Sequence, residues 1–280
     1  MTVAIVTDSA AALPDDVAAT WGINVVPMWL TIDGQPELEG TRSLAELLEH
    51  PGVLTSAPAP GEYESVVKEA LRGADAAVVL TLASAMSASN EAARLGTAVF
   101  DDNVAVVDTG SAAGGQALVV LAAAAAAAQP RATLADVVTR ATTVAARVRL
   151  VATLPSLDHL VRSGRVPGIA GWAGKRLGIN PLFEFRGGDV HRLRPALSDD
   201  AAAERIVAHV QRNAPMGGRL HVVGLHALAP SSAADLVARI TAIVEPEESF
   251  IGEFGPVMVV HTGPGLSGLA WWWDDADGSS

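Results

Sequence analysis

Short, nearly continuous apolar runs alternate with longer amphipathic stretches through the first half of the chain. Residues 3–7, 23–30, 76–82, 104–107 and 150–154 read as strands of the kind a parallel sheet buries on both faces. Helix candidates lie between them. Residues 43–50 open with Ser43 and Glu46 at capping-box spacing, 61–71 follow a proline-rich turn, and 90–100 follow a serine cluster, with 115–128 and 134–148 completing the set. Alternating strands and helices predict parallel pairing with right-handed crossovers.

The second half changes pattern. A short helix over 157–163, stopped by Gly164, precedes a strand, turn and strand over 181–193 centred on Gly187 and Gly188. A helix near 200–212, a strand at 220–225 and a helix at 231–244 follow, then strands near 250–254, 257–261 and 266–272. Consecutive strands without helices between them predict a mixed sheet with its helices on one face. The expected division is therefore an N-terminal α/β domain, 1–155, with a mostly parallel sheet, and a C-terminal α/β domain, 156–280, with a mixed sheet. On the last strand Trp271 and Trp273 share one side and Trp272 takes the other, so at least one ring is expected to find cover outside the core. The tail over 274–280 is expected to fray.

Composition narrows the chemistry. The 280 residues are half apolar, poor in aromatics and without cysteine, which excludes disulfides, thiol nucleophiles and cysteine-based zinc sites. The longest apolar run, residues 117–128, is 12 residues, short of the roughly 20 that cross a bilayer; it reads as a buried helix, and no stable membrane insertion is expected. The chain opens as a strand with no basic leader, so a cytoplasmic protein is expected.

A net charge of −12 argues against nucleic acid, whose phosphates require a basic face. One stretch departs from that balance. Arg162, Arg165, Lys175, Arg176, Arg186, Arg192 and Arg194 stand against only Glu184 and Asp189. This is either solvated surface charge or a docking face for an acidic partner or an anionic head group.

Three polar segments end predicted strands: Thr7-Asp8-Ser9, the serines Ser84, Ser87 and Ser89, and Asp108-Thr109-Gly110-Ser111. In an open parallel sheet the carboxyl ends of strands form the ligand crevice, and helix N-termini there offer N–H groups to anions; the same residues also serve as helix N-caps. Thr55 to Gly61 reads as a rigid loop with two prolines, whose hydroxyls can meet a ligand oxygen. His261-Thr262-Gly263-Pro264-Gly265-Leu266-Ser267-Gly268 matches the glycine spacing of a dinucleotide fingerprint, but only 12 residues remain after it, so the glycines are taken to shape a turn between two strands. His261 then faces either a pocket or the core. No nucleophile elbow, Walker loop or zinc helix is present, and a triad of Ser84, His261 and Asp8 is conceivable from three strand ends without anything requiring it.

In order and spacing these segments resemble the DegV family over nearly the whole chain. Thr7-Asp8-Ser9 with Leu13-Pro14 is similar to its opening signature, and Thr55-Ser56-Ala57-Pro58 with Pro60-Gly61-Glu62-Tyr63 to its Thr-Ser-x-Pro loop. Asp108-Thr109 resembles its Asp-Ser strand end. Leu157 to Arg165, Leu177 to Leu182 and His261-Thr262-Gly263-Pro264-Gly265 resemble three later elements. The resemblance implies a three-layer α/β/α N-terminal domain, a mixed-sheet C-terminal domain, and one long-chain fatty acid buried between them. It also implies a carrier without catalytic residues, metal or cofactor, which hands the ligand's carboxylate to a separate ATP-dependent fatty acid kinase. Carried over by position, Thr55 and Ser84 hold the carboxylate, with Ser56, Ser87, His261, Thr262 and Gly263 close by, and Arg162, Arg165 and Arg194 face the kinase.

One loop departs from the family pattern. Ala83-Ser84-Ala85-Met86-Ser87-Ala88-Ser89 stands where the family has Ser-Ser-x-Leu-Ser-Gly-Thr, which puts the head-group geometry in question. The alternatives are a Ser/His-dependent hydrolase or phosphotransferase, and a lipid-sensing regulator. Burying a sixteen-carbon tail offers roughly 10 kcal/mol before entropy losses, provided donors meet the carboxylate.

Overall fold

The computed structural model describes residues 1–50, 52–165, 179–212 and 214–275. The strands of its first half are β1 (Val3–Asp8), β2 (Asn24–Val26), β3 (Trp29–Ile32), β4 (Gln35–Leu38), β5 (Leu54–Ser56), β6 (Ala76–Thr81) and β7 (Val104–Asp108). Those of the second are β8 (Arg149–Thr153), β9 (Leu182–Arg186), β10 (Asp189–Arg192), β11 (Arg219–His226), β12 (Glu248–Glu253) and β13 (Ser267–Asp274). The helices are α1 (Asp15–Thr20), α2 (Leu44–Glu49), α3 (Pro60–Ala70), α4 (Ser89–Thr97), α5 (Ala113–Ala127), α6 (Leu134–Arg147), α7 (Asp158–Ser163), α8 (Asp199–Arg212), α9 (Pro230–Thr241) and α10 (Pro256–Thr262).

The apolar runs at β1, β6 and β7 pair as expected, giving an all-parallel sheet in the order β2-β1-β6-β7. Every residue of β6 is buried, because helices cover both faces. On one side Tyr63 and Val67 of α3 and Ala92 and Ala93 of α4 meet Val6 and Val79; on the other lie α5 and α6. The expected capping box holds: the Glu46 N–H donates to Ser43 Oγ at 3.3 Å and the Ser43 N–H to Glu46 Oε2 at 2.9 Å.

Residues 23–30 do not form one strand. Pro27 interrupts the ladder, the Met28 N–H turns to the Ser9 hydroxyl at 3.0 Å, and the two halves enter different sheets. The second half, β3, is the centre of a small antiparallel sheet, β4-β3-β5, so Thr55 and Ser56 lie on a strand rather than in a loop.

The larger sheet runs β10-β9-β8-β13-β11-β12, with β11 and β12 parallel and the other pairs antiparallel. It holds β8, which falls inside the expected first domain, so the change of sheet lies before Arg149. Its helices lie on both faces, not one. Trp271 and Trp273 pack with Ile206 of α8 and Leu236 of α9, while Trp272 turns to the α5 side, where His221 stacks on it at 4.4 Å. All three indoles are consequently buried. Asp274 and Asp275 do not fray either, Asp274 being held by Arg140 at 2.8 Å and Arg219 at 3.1 Å and Asp275 by Arg147 at 2.7 Å; the remainder of the expected tail, 276–280, lies outside the described residues.

Helix α5 packs on β1 and β6 through one side and on β11 and β13 through the other, so a single helix is shared by both sheets. Its composition allows this. Alanine and glycine let two sheets approach one helix closely, and a Cβ on Gly114 would stand 2.6 Å from Leu225 and 2.8 Å from Val223.

The expected strand over 257–261 is helix α10. Its run of β-branched residues suits a strand, yet Pro256 presets the first helical turn and an acceptor from elsewhere in the chain meets the Val257 N–H.

Candidate functional site

A groove runs where the small antiparallel sheet, the loop after β6, α7 and α10 converge. Met28, Leu82, Met86, Leu160, Val257 and Met258 supply its apolar wall, and Thr55, Ser56, Ser87, Thr262, His261 and Arg165 its polar one. It contains about 530 Å³ of empty space, open solvent included, of which about 50 Å³ lies far enough from the walls to centre a water molecule. The passage is narrow.

Strand β5 and helix α10 meet side chain to side chain, with Thr55 Oγ1 2.7 Å from His261 Nε2. Burial, assisted by the Arg165 charge, brings His261 down to about 4, so its ring is neutral at pH 7. When Nε2 carries the proton and donates to Thr55 Oγ1, the hydroxyl hydrogen is free for a third oxygen. Arg165 donates to the Met86 carbonyl at 3.2 Å, spanning from the end of α7 to the loop after β6. Among the described residues it is the one permanently charged side chain in the lining, and none of them there is a carboxylate. Such a site favours an anion lying beside thioethers and aliphatic groups.

The loop after β6 is fixed from below. Asp8, fully buried at the end of β1, accepts from Gln116 Nε2 at 2.9 Å, the Leu82 N–H at 3.0 Å, the Ala10 N–H at 3.3 Å and the Tyr63 hydroxyl at 3.4 Å. Burial outweighs these donors and pushes its carboxyl up to about 6. The Ala83 N–H donates to the Ser111 carbonyl at 2.9 Å, and a fully buried alanine leaves no hydroxyl to satisfy there. Ala88 has φ −76°, a value open to any residue, so the departures from the family loop do not strain this backbone.

Of the residues expected from sequence, Thr55, Ser56, Ser87, His261 and Thr262 come together along the groove. Ser84 does not: it is exposed, outside the lining, with its N–H directed at Asp108 at 3.2 Å. No Ser84-His261-Asp8 triad is assembled, because His261 bonds Thr55 and Asp8 is enclosed by its own donors. Ser87 Oγ lies 2.9 Å from Ser89 Oγ, and Thr262 donates to the Met258 carbonyl at 3.1 Å, so both hydroxyls already have partners. Gly263 follows with φ +73°, where a Cβ would stand 2.6 Å from the His159 ring. It turns the chain out of a helix, not between two strands as expected.

Arg162 and Arg194 are exposed, and among the described residues of the basic stretch only Arg165 reaches the groove. Lys175 and Arg176, with Leu177 and Gly178 of the family-like element, lie outside the described residues. The apolar wall carried no distinguishing signal in the sequence, since Leu, Val and Met fill any α/β core. The one compositional hint is that Met28, Met86 and Met258 are three of five methionines.

A second cleft, between α8 and α9, is roomier, with about 1130 Å³ of empty space, open solvent included, against about 530 Å³ in the first. Its charges are engaged with each other: Arg239 bridges Asp200 and Asp235 at 2.7 Å each, and Asp199 accepts from Asn180 at 2.7 Å. The first groove is therefore the better host for an anion.

The family model described as "Uncharacterised protein, DegV family" matches residues 2–273. A DegV domain-containing protein of Mycobacterium tuberculosis is 32% identical over 279 residues, covering 96% of each chain. A fatty acid-binding protein of Thermotoga maritima is 26% identical over 280 residues, covering 96% of this chain and 97% of its own. Among solved structures, a DegV family protein from Thermus thermophilus described for its fatty acid binding superposes with a TM-score of 0.90 at 26% identity, covering 98% of this chain and 100% of its own.

Proposed function

The chain belongs to the DegV family, and from that premise we propose that it binds one long-chain fatty acid in the groove and presents the carboxylate to a separate ATP-dependent fatty acid kinase. The observation that carries this reading is the lining itself: among the described residues, one guanidinium, a neutral imidazole bonded to a hydroxyl and no carboxylate, set beside three thioethers and aliphatic side chains. An acyl tail gains about 0.8 kcal/mol for each methylene removed from water. Its carboxylate needs charge-assisted donors, which Arg165 and Thr55 offer. The narrow passage widens, on this reading, by rotation of Met28, Met86 and Met258, whose unbranched chains repack at small cost.

The fatty acid-binding descriptions of the Thermotoga and Thermus relatives support the ligand class. In the proposed transfer a carboxylate oxygen attacks the terminal phosphorus of ATP on the kinase, the bond to ADP breaks, and an acyl phosphate remains on the carrier. The carrier contributes only the hold and the orientation, with Arg165 at the mouth and Arg162 and Arg194 on the approach. On this reading the protein works in the cytoplasm, where ATP is available.

Organic extraction of the purified protein followed by mass spectrometry, with palmitate and oleate binding measured in parallel, tests the ligand. Recovery of a long-chain acid, or saturable binding at one site per chain, is expected. Neither extraction nor incubation yielding bound acid rejects the reading.

A further inference from the structure

Two polar side chains outside the groove's lining tie its walls together. Ser9, just past β1, accepts the Met28 N–H at 3.0 Å on its hydroxyl oxygen and donates that hydroxyl to Glu39 Oε2. Glu39, just past β4, uses its other oxygen to accept the Val257 N–H at 2.9 Å, 218 positions further along the chain. Met28 and Val257 both line the groove; Ser9 and Glu39 do not.

The first turn of α10 carries donors that need acceptors, and Gly255 ahead of it has no side chain to provide one. Glu39 fills that place, with its negative charge at the favourable end of the helix. The fit is close: a Cβ on Gly255 would stand 2.5 Å from Glu39 Oε1, so residue 255 is bare where the carboxylate enters. The last turn of helix α10 carries His261, whose ring meets Thr55 on a strand of the same small sheet that β4 borders.

We propose that Ser9 and Glu39 are positioning residues of the fatty acid site: they hold α10 by its N-terminus and thereby set His261 against Thr55 while fixing Met28 in the opposite wall. This inference rests on the reading of the groove as a carboxylate site. It adds that the Ser of the Thr7-Asp8-Ser9 segment acts through Glu39 without touching ligand.

The test compares wild type, Glu39→Ala, Glu39→Gln and Ser9→Ala by palmitate affinity and by the ¹⁵N resonances of the His261 ring. Glu39→Ala is expected to weaken binding about tenfold, as loss of a charge-assisted hydrogen bond does, and to move the ring resonances. Glu39→Gln keeps an oxygen for the Val257 N–H and is expected to restore most of the affinity. Ser9→Ala, which leaves the helix cap in place, is expected to weaken binding about threefold with a smaller movement of the ring. Should Glu39→Ala fail to fold, Ser9→Ala and Glu39→Gln decide: unchanged affinity and unmoved ring resonances in Ser9→Ala overturn the proposal. A wild type that binds no palmitate instead removes the underlying reading, whatever the ring resonances of the variants show.

Discussion

Thr55 and His261 stand 206 positions apart in sequence and 2.7 Å apart in space. The contact joins the edge strand of a three-stranded sheet to the last turn of α10, so it reports directly on how the groove's two ends are set. Thr55→Ala is expected to weaken fatty acid binding about five- to tenfold, and Thr55→Ser, which keeps the hydroxyl, to stay within about twofold. Equilibrium displacement of a fluorescent acyl probe measures both; equal affinities for the two variants count against a role for the hydroxyl.

Arg165 acts on the His261 ring as well as on any anion. Removing its charge by Arg165→Gln relieves one of the two causes that depress the ring, so the titration midpoint is expected to rise above about 4. Burial, the larger cause, keeps it below the ordinary 6.5. Proton NMR of the ring through an acid titration reads the midpoint. No movement means the guanidinium does not govern the ring.

Asp8 and His261 make opposite contributions to stability as pH changes. Asp8 is raised from 3.8 to about 6 in the folded chain, so its contribution is fully present below pH 3.8 and is lost as the pH rises through about 6. His261 is lowered from 6.5 to about 4, so its contribution is present above 6.5 and is lost as the pH falls through about 4. The two slopes oppose each other across this window. Asp8→Asn removes one of them, and the variant's stability relative to wild type is expected to rise by about 2–3 kcal/mol from pH 4 to pH 7. Urea denaturation at several pH values follows it; a difference that stays constant with pH contradicts the assignment.

Two glycine substitutions should move stability in opposite directions. Gly114→Ala drives a methyl toward Leu225 and Val223 at 2.6 and 2.8 Å and is expected to cost about 1–3 kcal/mol. Gly61 in α3 has open space around its Cβ position, so Gly61→Ala should gain about 0.5–1 kcal/mol from helix propensity. Thermal melts of the two variants give the signs.

Much of the frame was legible in the chain because apolar runs such as β6 and strand-ending polar segments such as Thr7-Asp8-Ser9 are local signals. What local pattern could not disclose are choices made by distant partners. Residues 257–261 carry a strand's composition, and Pro256 makes a helix of them together with Glu39, which arrives from the far end of the sequence. Ser84 belongs to the right segment but faces out, because a turn has no fixed period to say which hydroxyl points inward. Pro27 lies inside the run 23–30 that reads as one strand; that it hands the chain from one sheet to another follows from the Met28 N–H finding Ser9. Thr55 and His261 were each singled out, yet nothing in either neighbourhood measures the distance between them.

Because α5 is flanked by β1 and β6 on one side and β11 and β13 on the other, neither half of the molecule owns a complete interior. A fragment cut near residue 155 would carry α5 with one flank stripped to water, and the complementary fragment would lack the wall against which Trp272 and Leu225 rest. Melting is therefore expected as one cooperative event rather than two, with the two sheets committed to fold together or not at all.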